Sequence, residues 1–419
     1  MRKVSIIIPV YNVEKFIGDC LDSAVSQTIE DKEIICIDDG SLDCSYQILK
    51  QYQYRYPYIK VFRQENKGAG EARNLGLQKA AGKYISFLDA DDFYLDSEAL
   101  EKMVDICEKN QLQLCAGLIR MYDGSGTIED FYLHRDCFEK GRNPNGKILT
   151  FKERQDDYGF TSYIFSMDVI KKNKISFPTY RRYEDPPFLL KYMISIKEYM
   201  ILPIEFYGYR YLDAAVKRKG TYIEDILKGI RDNAWIAQRY QLNRLKEILA
   251  YRISTEYSSW IINGVNDEVL LLLCEIQKAL FGTSCREKET ADVQESSFEI
   301  VRSIAAGNLK GKNLGRYFEE NGITSVAVYG LGHYGKMSVS EIQKSGNIKI
   351  YGIDQKIQQL EGIEINTLDE INKKCNTVIV TPAKGNYEIV NHIKETWNGN
   401  VWGLYELVHK VESGNENAD

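Results

Sequence analysis

Val4-Ser-Ile-Ile-Ile-Pro-Val-Tyr-Asn12, Glu33-Ile-Ile-Cys-Ile-Asp-Asp-Gly-Ser41 and Tyr84-Ile-Ser-Phe-Leu-Asp-Ala-Asp-Asp92 decide the fold. Each is a short, largely β-branched apolar run that stops abruptly at polar or acidic residues, the pattern of a buried strand and not of an amphipathic helix. Helical periodicity fills the gaps. It runs through Phe16, Cys20, Leu21, Ala24 and Val25, then through Tyr46, Ile48, Leu49 and Tyr52, and from Ala72 to Ala80 behind a turn at Lys67-Gly-Ala-Gly70. Tyr58 to Phe62 adds a further strand. The order β-α-β-α-β-α-β predicts a mainly parallel sheet with helices on both faces, an α/β fold. Ligands of such sheets sit beyond the carboxyl ends of the strands. Three of these strands end in Pro-x-Tyr-Asn, Asp-Asp-Gly-Ser and Asp-x-Asp-Asp, so polar residues collect on one rim.

The whole chain has 419 residues, enough for two or three domains. From about 93 to 215 the pattern is mixed. From 216 to 320 it reads as a helical connector, with apolar positions at Ile223, Ile226, Ile230, Trp235, Leu245, Leu249 and Ile253. From 321 to 412 β/α alternation returns, and 413–419 reads as a disordered polar tail. The net charge of −6 argues against a nucleic-acid binder. Nine Cys without a C-x-x-C pair argue against structural zinc and fit reduced, cytoplasmic thiols. The run Val4–Val10 contains Pro9 and is too short for a signal-peptide core or a membrane span. Tyr is abundant, at 29 residues, and its flat face with a polar tip suits a sugar-binding cleft.

Asp89-Ala-Asp91-Asp92 places three carboxylates in four residues. They repel one another unless water or a cation separates them, and a hard divalent ion that also holds a diphosphate makes the arrangement favourable. The ordinary alternative is an acidic turn before a helix. With Ser5-Ile-Ile-Ile-Pro-Val-Tyr-Asn12, Ser26-Gln-Thr28, Ile37-Asp-Asp-Gly-Ser41, Asn66-Lys-Gly-Ala-Gly70 and Ala72-Arg-Asn-Leu-Gly76, it resembles the nucleotide-sugar half of family 2 inverting glycosyltransferases of the GT-A fold. The resemblance covers residues 1–215, most closely up to 120. It implies that Pro9 and Tyr11 line the nucleobase pocket, that Asp39 accepts a hydrogen bond from the base, and that Arg73 lies near the diphosphate. Asp89 and Asp91 would reach the ribose and a Mn²⁺ or Mg²⁺ ion. Spacing leaves open whether Asp92 replaces one of them.

Arg181-Arg-Tyr-Glu-Asp-Pro-Pro-Phe188 resembles the Glu-Asp-x-x-Phe segment of the same family, whose Asp removes a proton from the acceptor hydroxyl. Asp185 is thus the implied base, with Glu184 positioning it or touching the acceptor. A helix start at the same residues is compatible with that role. The family's usual His- or Ser-rich stretch is replaced here by Lys217-Arg-Lys219, a possible source of leaving-group cations. The segment 171–231 carries 13 Lys and Arg against 7 Asp and Glu, a basic surface suited to an anionic acceptor or to membrane headgroups at the inner face of the membrane.

Gly330-Leu-Gly-His-Tyr-Gly335 follows a strand, and Asp354 ends the next one. This is the dinucleotide-binding fingerprint in a suitable context, and it predicts a small Rossmann-like domain with an NAD-like ligand or a docking role. Three functions follow. The first is a non-processive, metal-assisted inverting transferase moving a sugar from a nucleotide donor, UDP-linked, to a cell-surface glycan or lipid-linked oligosaccharide. The second is an NAD-binding enzyme or assembly scaffold acting through the C-terminal domain. The third, a sugar-binding protein without turnover, is disfavoured by the intact acidic and base segments.

Overall fold

The apolar runs become β1 (Val4–Val10), β2 (Lys32–Asp38), β3 (Ile59–Arg63) and β4 (Tyr84–Phe87), which pair in parallel in the order β3-β2-β1-β4. In the computed structural model, residues 3–123, 126–138, 145–211, 222–282, 293–381, 386–397 and 399–413 are described. The Lys217-Arg-Lys219 cluster and the tail beyond Ser413 lie outside the described residues. By contacts the chain divides into two units, Met1–Asn233 and Ala234–Asp419.

In the first unit the sheet extends past β4 with β5 (Phe93–Tyr94), β6 (Leu114–Asp123), β7 (Gly126–Leu133), β8 (Lys147–Leu149), β9 (Tyr163–Ser166) and β10 (Tyr199–Arg210). The order is β3-β2-β1-β4-β9-β6-β10-β5, with β7 on β6 and β8 on β10. Helices α1 (Ile17–Val25), α2 (Ser45–Arg55), α3 (Ala69–Lys79) and α4 (Ala99–Asn110) connect the strands. Alternate residues of β1 feed opposite faces of the sheet. Ile6 and Ile8 join Cys20, Leu21 and Ala24 of α1 and Leu100, Met103 and Val104 of α4 in one buried cluster. Ile7 faces α3, where a Cβ on Gly76 would collide with its Cγ2. Helix and strand therefore approach more closely than any side chain at residue 76 permits.

The legibility of 93–215 suffers from β10. It contains Pro203, and its pairing with β6 shifts register twice between Ile201 and Tyr207. Proline cannot donate to a ladder and settles at such irregularities, so the strand's alternation is broken in the sequence.

The second unit holds a parallel sheet of β11 (Ser325–Tyr329), β12 (Lys349–Ile353), β13 (Glu364–Ile365), β14 (Thr377–Val380) and β15 (Asn400–Gly403), in the order β13-β12-β11-β14-β15. That is the order of a doubly wound sheet up to its fifth strand. Of the helical stretch expected as a connector over 216–320, the part before Ala234 belongs to the first unit and the part from Ala234 on to this one. Its helix Val293–Leu309 packs on the terminal helix Leu404–Ser413, and Arg302 ties the two through Glu412 at 3.3 Å. Among the described residues no helix is long and apolar enough to cross a membrane.

Candidate active site

The carboxyl ends of β1, β2 and β4 open into a cleft of about 850 Å³, within the usual range for small-molecule sites. Pro9, Tyr11, Asp39, Arg73, Asp89, Asp91, Asp92 and Glu184 all line it, whereas Asp185 lies just behind Glu184 and is not among the lining residues. Residues that looked like separate motifs in the chain thus share one wall. Asn66, Arg181, Arg182, Tyr209 and Tyr222 line it too. Asn66 belongs to the Asn66-Lys-Gly-Ala-Gly70 motif, Arg181 and Arg182 to the basic segment, and Tyr209 to Tyr207-Gly-Tyr-Arg210, which resembles the family's Tyr-x-Tyr-Arg; only Tyr222 has no signal beyond the abundance of Tyr.

Asp39 is buried, and its backbone N–H donates to the Val10 carbonyl at 2.8 Å. Its Oδ1 accepts from Gln64 Nε2 at 2.8 Å and from the Lys67 N–H at 2.9 Å, and Oδ2 accepts from the Gly68 N–H at 2.8 Å. Gly68 has a φ of +95°, a conformation open to glycine, and it caps α3. The carboxylate therefore shapes the loop that starts α3, and one lone-pair direction on Oδ2 remains for a ligand donor.

At the end of β4 the three aspartates separate. Asp92 turns inward and is 1 % exposed. Its Oδ2 accepts from the Tyr207 hydroxyl and its Oδ1 from the Arg210 N–H, both at 2.8 Å. Burial, then the charges of Asp91 and Asp89, push its carboxyl well above the ordinary range, against those two hydrogen bonds. Tyr207 Oη also accepts from the Asp89 N–H at 3.1 Å, and Arg210 Nη1 donates to the Asp91 carbonyl at 3.0 Å. Strand β10 thereby holds the acidic turn from behind. Asp89 and Asp91, each partly exposed, line the cleft on its other side.

Among the described residues no three acidic, His or Cys side chains gather to hold an ion unaided. Two carboxylates beside a diphosphate are nevertheless a common way of holding Mg²⁺, which keeps several other oxygen ligands. The donor set of Asp89 and Asp91 fits that use.

The second acidic segment reaches the cleft from helix α5 (Asp185–Met193), whose first turn contains Pro186 and Pro187. The helix begins at Asp185 itself, and negative charge is favoured at that end. Tyr183, just before it, is buried with a φ of +65°. It is packed against Gly229 of helix α6 (Ile223–Arg239), where a Cβ would lie 2.6 Å from the Tyr183 ring. Arg73 Nη1 donates to Glu184 Oε1 at 2.7 Å, and Nη2 donates to Asp89 Oδ1 at 2.8 Å. Asp185 is partly buried. Burial, followed by the neighbouring Glu184 charge, pushes its carboxyl up to about 7, with Arg73 opposing.

In the second unit the glycine loop takes the shape its residues predict. Gly330 has a φ of +85°, and a Cβ on Gly335 would collide with the Gly330 carbonyl, to which Thr381 also donates. Asp354 is drawn into this loop. Its Oδ2 accepts from the Leu331 N–H at 2.7 Å and its Oδ1 from the N–H groups of Lys356 and Ile357 at 2.8 and 2.9 Å. Gly332 caps the helix His333–Gln343, and His333 Nε2 shares a 3.0 Å hydrogen bond with Ser258 Oγ.

The family model "Glycosyl transferase family 2" matches residues 5–172. The chain is 36 % identical over 229 residues to the poly(ribitol-phosphate) beta-glucosyltransferase of Bacillus spizizenii, covering 53 % of this chain and 33 % of that protein. It is 32 % identical over 209 residues to the uncharacterized glycosyltransferase EpsJ of Bacillus subtilis, covering 49 % of this chain and 60 % of that one. It therefore spans about a third to three-fifths of these relatives' lengths. The crystal structure of S. aureus TarS 1-349 in complex with UDP-GlcNAc superposes with a TM-score of 0.54 at 19 % identity, covering 74 % of this chain and 93 % of that one. At that identity the likeness is one of fold. Residues 5–172 thus match glycosyl transferase family 2, and the fold is the one the TarS structure shares.

Proposed function

We propose that the protein is a non-processive, inverting glycosyltransferase that moves one sugar from a UDP-linked donor to a hydroxyl of a cell-surface glycan or lipid-linked oligosaccharide. One observation carries the reading: a single cleft brings Pro9, Tyr11 and Asp39 together with Asp89, Asp91 and Glu184, the residue just before Asp185. Direct displacement at the anomeric carbon needs a base on the side away from the departing nucleotide. Asp185 suits that task, because a carboxylate whose pKa is near 7 takes a proton from an alcohol more readily than an ordinary one. Asp89 and Asp91 would hold Mn²⁺ or Mg²⁺, whose chemistry here is to neutralise the departing diphosphate.

For the acceptor, Arg181 and Arg182 stand exposed on the cleft wall, inside a segment with 13 Lys and Arg against 7 Asp and Glu. That favours an acceptor bearing phosphates, in keeping with the poly(ribitol-phosphate) in the name of the Bacillus spizizenii relative. It also suits work at the cytoplasmic face of a membrane, against anionic headgroups. The test is a panel of nucleotide sugars with and without Mn²⁺, read as UDP release. One donor is expected to give metal-dependent release that acceptor accelerates. Release from none of the panel overturns the proposal.

A further inference from the structure

Arg73 is only 4 % exposed, although it lines the cleft. Its guanidinium carbon lies 4.7 Å from the centroid of the Phe160 ring and 5.3 Å from that of Phe177. Phe177 in turn stacks on Phe188 of α5 at 4.0 Å. Between these rings the guanidinium plane has little freedom, and its fork meets two carboxylates from elements far apart in the chain. Asp89 opens the acidic turn two residues beyond the end of β4. Glu184 immediately precedes Asp185. Nε has no hydrogen-bond partner, so the two ion pairs dictate how the group is turned. Nearby, α3 and the 178–184 segment touch so closely that a Cβ on Gly70 would lie 2.9 Å from the Pro178 carbonyl and 3.1 Å from Glu184 Cγ.

We propose that Arg73 is a positioning residue, a fixed fork that sets the spacing between the donor-side carboxylate Asp89 and the base-bearing segment at Glu184, and not a free cation for the diphosphate. The inference rests on the transferase reading above. Its physical basis is the planar, bidentate geometry of arginine, which a lysine ammonium cannot reproduce across two separated carboxylates. A shift of the base segment by as little as an ångström misaligns proton removal with attack and costs rate without costing donor affinity.

The experiment is a double-mutant cycle on the full chain, with R73K, E184Q and the double variant. Three quantities are measured: kcat for donor turnover at saturating Mn²⁺, UDP affinity by calorimetry, and the thermal midpoint. R73K is expected to lower kcat about 30-fold or more while UDP affinity stays within about threefold. In the E184Q background the same substitution is expected to cost less than about threefold, because the carboxylate charge that fixes this arm of the fork is already gone. Equal losses of kcat in both backgrounds overturn the proposal. So does an R73K variant whose UDP affinity collapses while kcat at saturation is kept, the behaviour of a diphosphate ligand. If the wild-type chain turns over no donor, the transferase reading fails on its own account. The fork is then judged by the midpoints alone, where non-additive shifts support it and additive shifts overturn it.

Discussion

Replacing Tyr207 by Phe removes one oxygen from a buried network and tests which aspartates face the ligand. The lost hydroxyl donates to Asp92 Oδ2 at 2.8 Å and accepts from the Asp89 N–H at 3.1 Å. Because burial pushes the Asp92 carboxyl up toward its neutral form, this hydrogen bond contributes about 1–3 kcal/mol, between the neutral and the charged cases. The Asp89 N–H sits beside the cleft and can be rewetted, so its loss adds about 1 kcal/mol or less. The expected cost is about 1–4 kcal/mol, which lowers the midpoint of a unit of this size by roughly 3–12 °C. All four Trp, at 235, 260, 397 and 402, lie in the second unit. Of these, Trp235 stands on α6, whose Gly229 packs on Tyr183, so Trp emission does not isolate the second unit and the loss is read from the calorimetric midpoint of the whole chain. With its rear support gone, the acidic turn should also bind UDP with Mn²⁺ about tenfold less tightly, a difference of about 1.4 kcal/mol. A midpoint within about 1 °C of wild type would refute the network's role, since that is less than a single such hydrogen bond is worth. Metal-dependent UDP binding lost in Asp92→Asn and kept in Asp91→Asn would show that Asp92 turns toward the ligand instead.

Asp185→Asn should reduce transfer by about 10²- to 10⁴-fold while UDP affinity, measured by calorimetry, stays near wild type; full transfer would remove Asp185 as the base. The base must be deprotonated to act, so kcat/KM should rise with pH through about 7. Glu184→Gln removes the neighbouring negative charge that raises Asp185 and should move that limb to lower pH, and an unmoved limb would show that another group titrates. Gly76→Ala forces a methyl into Ile7 and should destabilise the first unit by about 1–3 kcal/mol in urea unfolding, whereas a neutral result would mean that α3 can slide on the sheet.

The first four strands were legible because each carries its own local signals: an apolar run, a polar stop and a helix of matching period. Their packing needs few distant partners beyond the neighbouring strand. Strand β10 had no such signal, because its pairing bends around Pro203, yet it supplies Tyr207 and Arg210 to the acidic turn. The same distinction runs through the site. Spacing named Asp89, Asp91 and Asp92 as a group but could not sort them, because the sorting partners stand 115 and 118 residues away. Arg73 looked like a cation for phosphate, as any arginine at the start of a helix beside a glycine turn does. Its two carboxylates lie 16 and 111 residues along the chain, and only their meeting shows that its charge is already matched. Residue type thus announces that a charge belongs to a site, whereas the partners decide whether that charge is offered to a ligand or used to hold the site's other charges apart. By that criterion the partners of Asp92 and Arg73 mark them as scaffold of the cleft in the proposed reading, while Asp89 serves both the Arg73 fork and the cleft it lines.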